Sequence, residues 1–140
     1  MITAFQTLVR WEPLAELPDH QLSTILVSSE GKHLVATAVY VDAAPIQSVR
    51  IDFGFVEAFK VYEEFSAPHI LTTPPMMDHA ILGRVPWPFQ EVERSRWVRR
   101  VSARNGVLDD RPFRHFTIVT VDVILEVMTD SGFEAQRVPR

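Results

Sequence analysis

Three polar residues interrupt the most hydrophobic part of this chain and are its best candidates for chemistry: His115, Asp122 and Glu126. A carboxylate or an imidazole among apolar residues costs free energy unless it is paired. Asp122 is most simply a turn residue between two strands. Strict alternation turns Glu126 away from Leu125 and Val127, which predicts that Glu126 is exposed or paired with an arginine.

These residues support one enzymatic hypothesis. A sheet could close over an apolar pocket, with His115, Asp122 and Glu126 at its rim. The lining would come from aromatic residues spread along the chain: Phe53, Phe59, Trp97 and Phe116. Such a pocket would suit a small ligand-binding domain or an enzyme that uses a general acid or base.

Other kinds of chemistry find little support. The chain has no cysteine, which excludes disulfides and thiolate sites, and its five glycines are scattered singly, which excludes a phosphate-binding loop. His69, Asp78 and His79 lie in a proline-rich segment that does not fix a metal geometry. We therefore expect no cofactor, no metal and no catalytic residue, and we favour a protein that is not an enzyme.

A run of arginines is the strongest local signal. The net charge is −4, yet residues 94–114 hold seven arginines against two aspartates. On a helix, four of these arginines lie largely opposite an apolar stripe that contains Trp97 and Val101: Arg96, Arg99, Arg100 and Arg104. They would either pair with the acidic remainder of the chain or bind an anionic or protein partner, since arginine is favoured at interfaces. Nucleic acid is a weaker alternative, because no aromatic ladder accompanies the arginines. We expect Trp87 at the surface nearby.

Hydrophobic periodicity predicts an α+β fold. Alternating segments indicate an antiparallel or mixed curved sheet of five to seven strands: 22–28, 33–41, 47–53, 81–92, 114–121, 123–128 and a possible first strand at 2–9. The last two of these runs could also be one bent strand. A spacing typical of helices predicts one helix over 55–65, after Gly54, and a second over 94–104 with Ser95 as its N-cap. Both helices should cover one face of the sheet.

Length and composition predict one domain over 1–140, with residues 130–140 as a tail. The longest apolar windows are too short to span a bilayer, and the first residues do not resemble a secretory signal, so we expect a soluble cytoplasmic protein without a membrane partner. No heptad repeat enforces an oligomer, although exposed strand edges would allow a homodimer.

Residues 50–128 contain several short motifs that occur together in a known group of proteins. Arg50-Ile51-Asp52-Phe53 precedes Tyr62-Glu63-Glu64, and the later motifs are Glu93-x-Ser95-x-Trp97-Val98, Arg114-His115-Phe116-x-Ile118 and Asp122-x-x-x-Glu126-Val127. The pattern resembles small bacterial α+β proteins, several of which look like immunity proteins encoded beside polymorphic toxins. This resemblance implies a non-enzymatic protein that binds and inhibits a toxin, and it implies no catalytic residue.

Overall fold

A computed structural model describes residues 6–41, 48–63, 87–104 and 112–138. Within these ranges the chain forms mainly β-strands and one short helix. In chain order, the elements are β1 (Thr7–Arg10), β2 (Leu22–Glu30), β3 (His33–Tyr40), β4 (Ser48–Phe55), β5 (Ala58–Glu63), β6 (Phe89–Glu93), α1 (Arg96–Arg104), β7 (Arg114–Val119), β8 (Val123–Thr129) and β9 (Glu134–Val138).

The strands form two antiparallel sheets. One has five strands in the order β1-β6-β7-β8-β5, and the other has four in the order β2-β3-β4-β9. The chain passes from the smaller sheet to the larger one between β4 and β5, where the Val56 amide donates to the Lys32 carbonyl and the Glu57 amide donates to the Met128 carbonyl. These two hydrogen bonds connect the turn between β4 and β5 to both sheets.

The main core lies between the facing sides of the two sheets. Alternate residues of β3 and β4 are buried, as the alternation of Val49, Ile51 and Phe53 predicts. Trp11 lies at the centre of the aromatic contacts, with ring centroids 4.5 Å from Phe116 and 6.1 Å from Phe53. The other side of the five-stranded sheet is buried as well, since neighbouring residues on β7 and β8 are buried along almost their whole length.

The predicted α+β class is wrong, because the described residues are mostly β with a single helix. Of the predicted helix over 55–65, the described residues 55–63 form the end of β4, a turn and strand β5 instead. Phe59 and Val61 alternate as in a strand, whereas Phe59 and Tyr62 have the spacing of a helix, and hydrogen bonding to β8 selects the strand. Gly54, with φ of +64°, lies at a bulge where β3 and β4 shift register, so it bends the strand rather than ending it.

Two further segments differ from expectation or resolve an alternative. The predicted tail contains β9, which pairs with β4 despite its polar sequence. The run 114–128 forms two strands rather than one bent strand, with a tight turn at Thr120–Asp122, where the Val123 amide donates to Thr120 Oγ1 at 2.9 Å. Of the predicted strand 81–92, the described part begins at Trp87 and contributes to β6.

The second predicted helix is confirmed as α1, and so is its N-cap. Ser95 Oγ accepts a hydrogen bond from the Val98 amide at 3.1 Å, and the Ser95 carbonyl accepts one from the Arg99 amide. No helix among the described residues is long and apolar enough to cross a membrane.

Candidate functional site

A chain of short hydrogen bonds joins α1 to three strands of the five-stranded sheet. Ser95 Oγ lies 2.7 Å from His115 Nδ1, and His115 Nε2 lies 2.7 Å from Glu126 Oε1. The Tyr62 hydroxyl donates to Glu126 Oε2 at 2.5 Å, and Lys60 Nζ lies 3.7 Å from the same oxygen. Ser95, His115 and Glu126 are all buried, so this network lies under α1 rather than in an open cleft.

One arrangement of protons satisfies every member of the network. In this arrangement the Ser95 hydroxyl donates to His115 Nδ1, the Nε2–H of the same ring donates to Glu126, and Tyr62 donates to the other carboxylate oxygen. Burial alone would raise the pKa of Glu126, but the hydrogen bonds from His115 and Tyr62 and the nearby Lys60 charge outweigh it and hold that pKa below its usual value. Burial and the neighbouring Glu126 raise the pKa of Tyr62, which keeps its hydroxyl a donor.

The sheet register brings these residues together. Lys60 and Thr117 lie on either side of Glu126 across β5, β8 and β7, and His115 is two residues from Thr117, so all point to the same side of the sheet. The prediction that Glu126 is exposed or paired with an arginine is wrong. It fails because β8 is an inner strand with both faces covered, so alternation along it does not separate core from solvent.

Trp97 packs α1 against this network. Its ring lies edge-on to His115, with centroids 5.0 Å apart, and Lys60 Nζ lies 4.3 Å from its centroid. No residue of α1 is fully buried, and its contacts with the sheet include those of Trp97 and Ser95 with His115 and the hydrogen bond from the Arg96 amide to Gln6 Oε1 at 3.0 Å.

The predicted pocket rim is only partly assembled. His115 and Glu126 are in contact, but Asp122 lies in the β7–β8 turn, where it accepts a hydrogen bond from Thr120 Oγ1 at 2.8 Å. The predicted lining residues do not share a pocket either. Phe53 and Phe116 pack in the core between the sheets, while Trp97 lies on the His115 side, because consecutive strand residues point to opposite faces.

The Ser95–His115–Glu126 order invites comparison with a catalytic triad, but its surroundings favour a structural role. Ser95 Oγ already accepts the amide of its own helix, and the residue is buried. A nucleophile needs access to its substrate. What the network does is connect the first turn of α1 to the middle of the sheet. Sequence reasoning identified Ser95 as a cap, but the other partner of its hydroxyl comes from a strand that is remote in sequence.

The four arginines of the second predicted site occupy one face of α1. Successive residues of a helix are about 100° apart, so these side chains span a continuous arc of about 140°. All four are exposed: Arg96, Arg99, Arg100 and Arg104. None forms a salt bridge with any residue in the described ranges, whereas Arg10 pairs with Glu12 and Arg114 forms two hydrogen bonds with Glu91.

This arginine face lowers the stability of its own helix. Arg96 and Arg100, and likewise Arg100 and Arg104, are like charges four residues apart, and each such pair costs about 0.2–0.5 kcal/mol. Arg96 also lies in the first turn, which has no acidic residue and where the helix dipole disfavours a cation. Only Arg104, in the last turn, is favourably placed. The charge pattern therefore does not contribute to the folding of α1.

The expectation that Trp87 lies at the surface is wrong. Its side chain is 2% exposed, its indole N–H donates to the Trp11 carbonyl at 2.8 Å, and the Arg10 guanidinium covers its ring. Flanking prolines restrict the backbone of a residue but say nothing about where its side chain packs.

Among residues 6–41, 48–63, 87–104 and 112–138, no group of three or more histidine, aspartate or glutamate side chains could hold a metal ion. His69, Asp78 and His79, considered above for a metal site, lie outside these ranges. Comparison of the chain with family models, with curated proteins and with solved structures found no match.

Proposed function

We propose that this chain is a non-enzymatic protein-binding domain that docks the arginine face of α1 on an acidic surface of its partner. One observation carries the proposal: four exposed guanidinium groups share one helical face without an ion pair to any described residue. Charges that destabilise their own helix are expected where they are neutralised by something other than the fold.

The position of α1 supports the same function. A binding surface must be held still, because each side chain ordered on association costs free energy. Ser95 and Trp97 connect α1 to His115, and His115 is in turn fixed by Glu126. The buried network thus supplies rigidity to an otherwise half-exposed helix.

A toxin inhibited by this protein is the partner class that the resemblance in residues 50–128 suggests. Immunity proteins must associate quickly with their toxins, and complementary charge raises association rates more than it raises affinity. The arginine face would then attract an acidic patch of the toxin.

The proposal is tested by reversing charge on the face without disturbing its support. In Arg99→Glu/Arg100→Glu, both changes are on exposed positions, so the fold should be retained, as far-UV circular dichroism would verify. The wild-type protein is crosslinked in its native host, and the captured partner is purified and measured against both proteins. We expect the association rate constant to fall at least about tenfold in the variant, because electrostatic steering changes sign.

A matched control carries the same change of charge elsewhere. Lys32 lies in the turn between β2 and β3, and Arg50 lies on β4, so both belong to the four-stranded sheet. Lys32→Glu/Arg50→Glu should leave the association rate constant within about twofold of the wild-type value once salt screens the general effect of net charge. Equal losses in both variants would contradict a specific arginine face. Capture that disappears after nuclease treatment would identify a nucleic acid and contradict a protein partner.

The toxin is tested separately by co-expression. The product of a toxin gene adjacent to this one is expressed in a sensitive host, and growth is measured with the wild-type chain or the Arg99→Glu/Arg100→Glu variant. Growth restored by the wild-type chain alone is the expected result. No protection by the wild-type chain would contradict the immunity role, while the binding measurement above would still decide whether the face binds a protein.

A further inference from the structure

A groove of about 460 Å³ lies at the end of the four-stranded sheet, on a different sheet from the Ser95 network. It forms where the Gly54 bulge of β4 meets the segment that leads into β9, and its lining residues are His33, Asp52, Gly54, Gly132, Phe133 and Glu134. Its volume is in the range of small-molecule sites. The groove is independent of the arginine face and of the function proposed for it.

Two carboxylates lie next to each other in this groove. Asp52 of β4 is directly opposite Glu134 of β9, which places their Cβ atoms about 4.5–5.5 Å apart. Like charges at such positions destabilise a sheet. Asp52 Oδ1 accepts the Gly54 amide at 2.8 Å and lies 2.9 Å from His33 Nε2. The Gly54 hydrogen bond, with a smaller contribution from His33, holds the pKa of Asp52 below its usual value, so this carboxylate is charged at neutral pH.

Both carboxylates have oxygens without a hydrogen-bond partner among the described residues. No hydrogen bond or salt bridge from the described part of the chain reaches Asp52 Oδ2 or either oxygen of Glu134. His33 also lines the groove, but its Nε2 is already paired with Asp52, and the described ranges contain no group of three such side chains that could hold a metal ion. The charge of the groove is therefore suited to an organic cation rather than to a metal ion.

The remaining walls provide room and an apolar surface. A Cβ added at Gly54 or Gly132 would meet nothing within 4 Å, so these residues leave the groove open. Phe133 is held by ring contacts with Trp11 at 4.9 Å and Phe116 at 5.7 Å, which makes it a fixed wall. A planar cation can stack on such a ring while it donates to carboxylates.

We infer that this groove binds a guanidinium group, which donates to Asp52 Oδ2 and Glu134 and packs its carbon chain against Phe133. A guanidinium is preferred to an ammonium because its planar fork can serve two neighbouring carboxylates at once. The group would belong to a free small molecule or to an arginine side chain of a peptide or protein.

The test is an amide NMR titration with acetyl-arginine-amide, and acetyl-citrulline-amide serves as an uncharged probe of nearly the same shape. We expect saturable shifts of the Gly54, Gly132 and Phe133 amides with the arginine probe and none with the citrulline probe. Asp52→Asn/Glu134→Gln should weaken binding at least about tenfold, since charge-assisted hydrogen bonds are lost. The side-chain carbonyl oxygen that this variant carries at position 52 can still accept the Gly54 amide, so the bulge is retained.

Glu93→Gln, an exposed carboxylate on β6 in the other sheet, is the matched control and should bind as the wild type does. Methylguanidine and the peptide acetyl-Gly-Arg-Gly-amide separate the two sources of the group: equal affinity indicates a free molecule, and a peptide bound at least about tenfold more tightly indicates a side chain. Equal binding of the arginine and citrulline probes, shifts outside the groove, or no saturable shift at millimolar probe would each overturn the inference.

Discussion

Replacing Ser95 by alanine removes two contacts that the same hydroxyl makes. The hydroxyl accepts the Val98 amide as the N-cap of α1, and such caps contribute about 1 kcal/mol. It also satisfies His115 Nδ1, and a buried acceptor left without a donor costs about 1–3 kcal/mol. We therefore expect Ser95→Ala to lower the free energy of unfolding by about 2–4 kcal/mol.

Urea denaturation followed by tryptophan fluorescence measures this loss, with Trp97 beside His115 as a reporter of the network. Ser102→Ala is the control, because Ser102 is half-buried on the same helix but caps nothing. It should change the free energy of unfolding by no more than about 0.5 kcal/mol. If Ser95→Ala were equally mild, the idea that this hydroxyl connects α1 to the sheet would be refuted.

Two predictions concern ionisation. The pKa of Glu126 is lower in the folded state than its ordinary value of 4.5, so its contribution to stability is present above that value and is lost as the pH falls through the folded pKa. In urea denaturation, Glu126→Gln should be less stable than the wild type at pH 7 and should lose less further free energy of unfolding between pH 5 and 3. The same loss between pH 5 and 3 in both proteins would contradict this prediction. Burial raises the pKa of Tyr40 to about 12 and also raises that of Tyr62. Ultraviolet titration at 295 nm should therefore find no more than about a tenth of Tyr40 ionised at pH 11 while the protein is folded, and ionisation near pH 10 would show that the hydroxyls are accessible. The stabilising contribution of these hydroxyls is complete below the ordinary value of 10.0 and is lost as the pH rises through the folded values.

The sequence predicts well those elements whose pattern has a single solution. Val49, Ile51 and Phe53 alternate along a strand with one buried face, and α1 combines a cap, an apolar stripe and a polar face. Residues 55–65 are different, because Phe59 and Val61 have the spacing of a strand while Phe59 and Tyr62 have the spacing of a helix. Hydrogen bonding to β8, which is remote in sequence, makes this segment a strand rather than a helix. The local sequence pattern does not predict that pairing.

The candidate site shows the same limit. His115 and Glu126 stood out as polar residues in an apolar run, but their connection to Ser95 and Tyr62 depends on sheet register and on the place where α1 rests. The groove at Asp52 and Glu134 could not be predicted at all, since residues 130–140 showed too little alternation to indicate β9. A polar edge strand is specified by its neighbour rather than by its own sequence.

The late position of β9 has a consequence for synthesis of the chain. Strands β2, β3 and β4 follow one another directly and can pair as soon as they leave the ribosome, but the free side of β4 has no neighbour until residues 134–138 have been made. Strand β1 likewise lacks its partner β6 until most of the intervening chain has been added. The nascent chain thus exposes unpaired strand edges through most of translation, which is the condition under which edge-to-edge aggregation competes with folding.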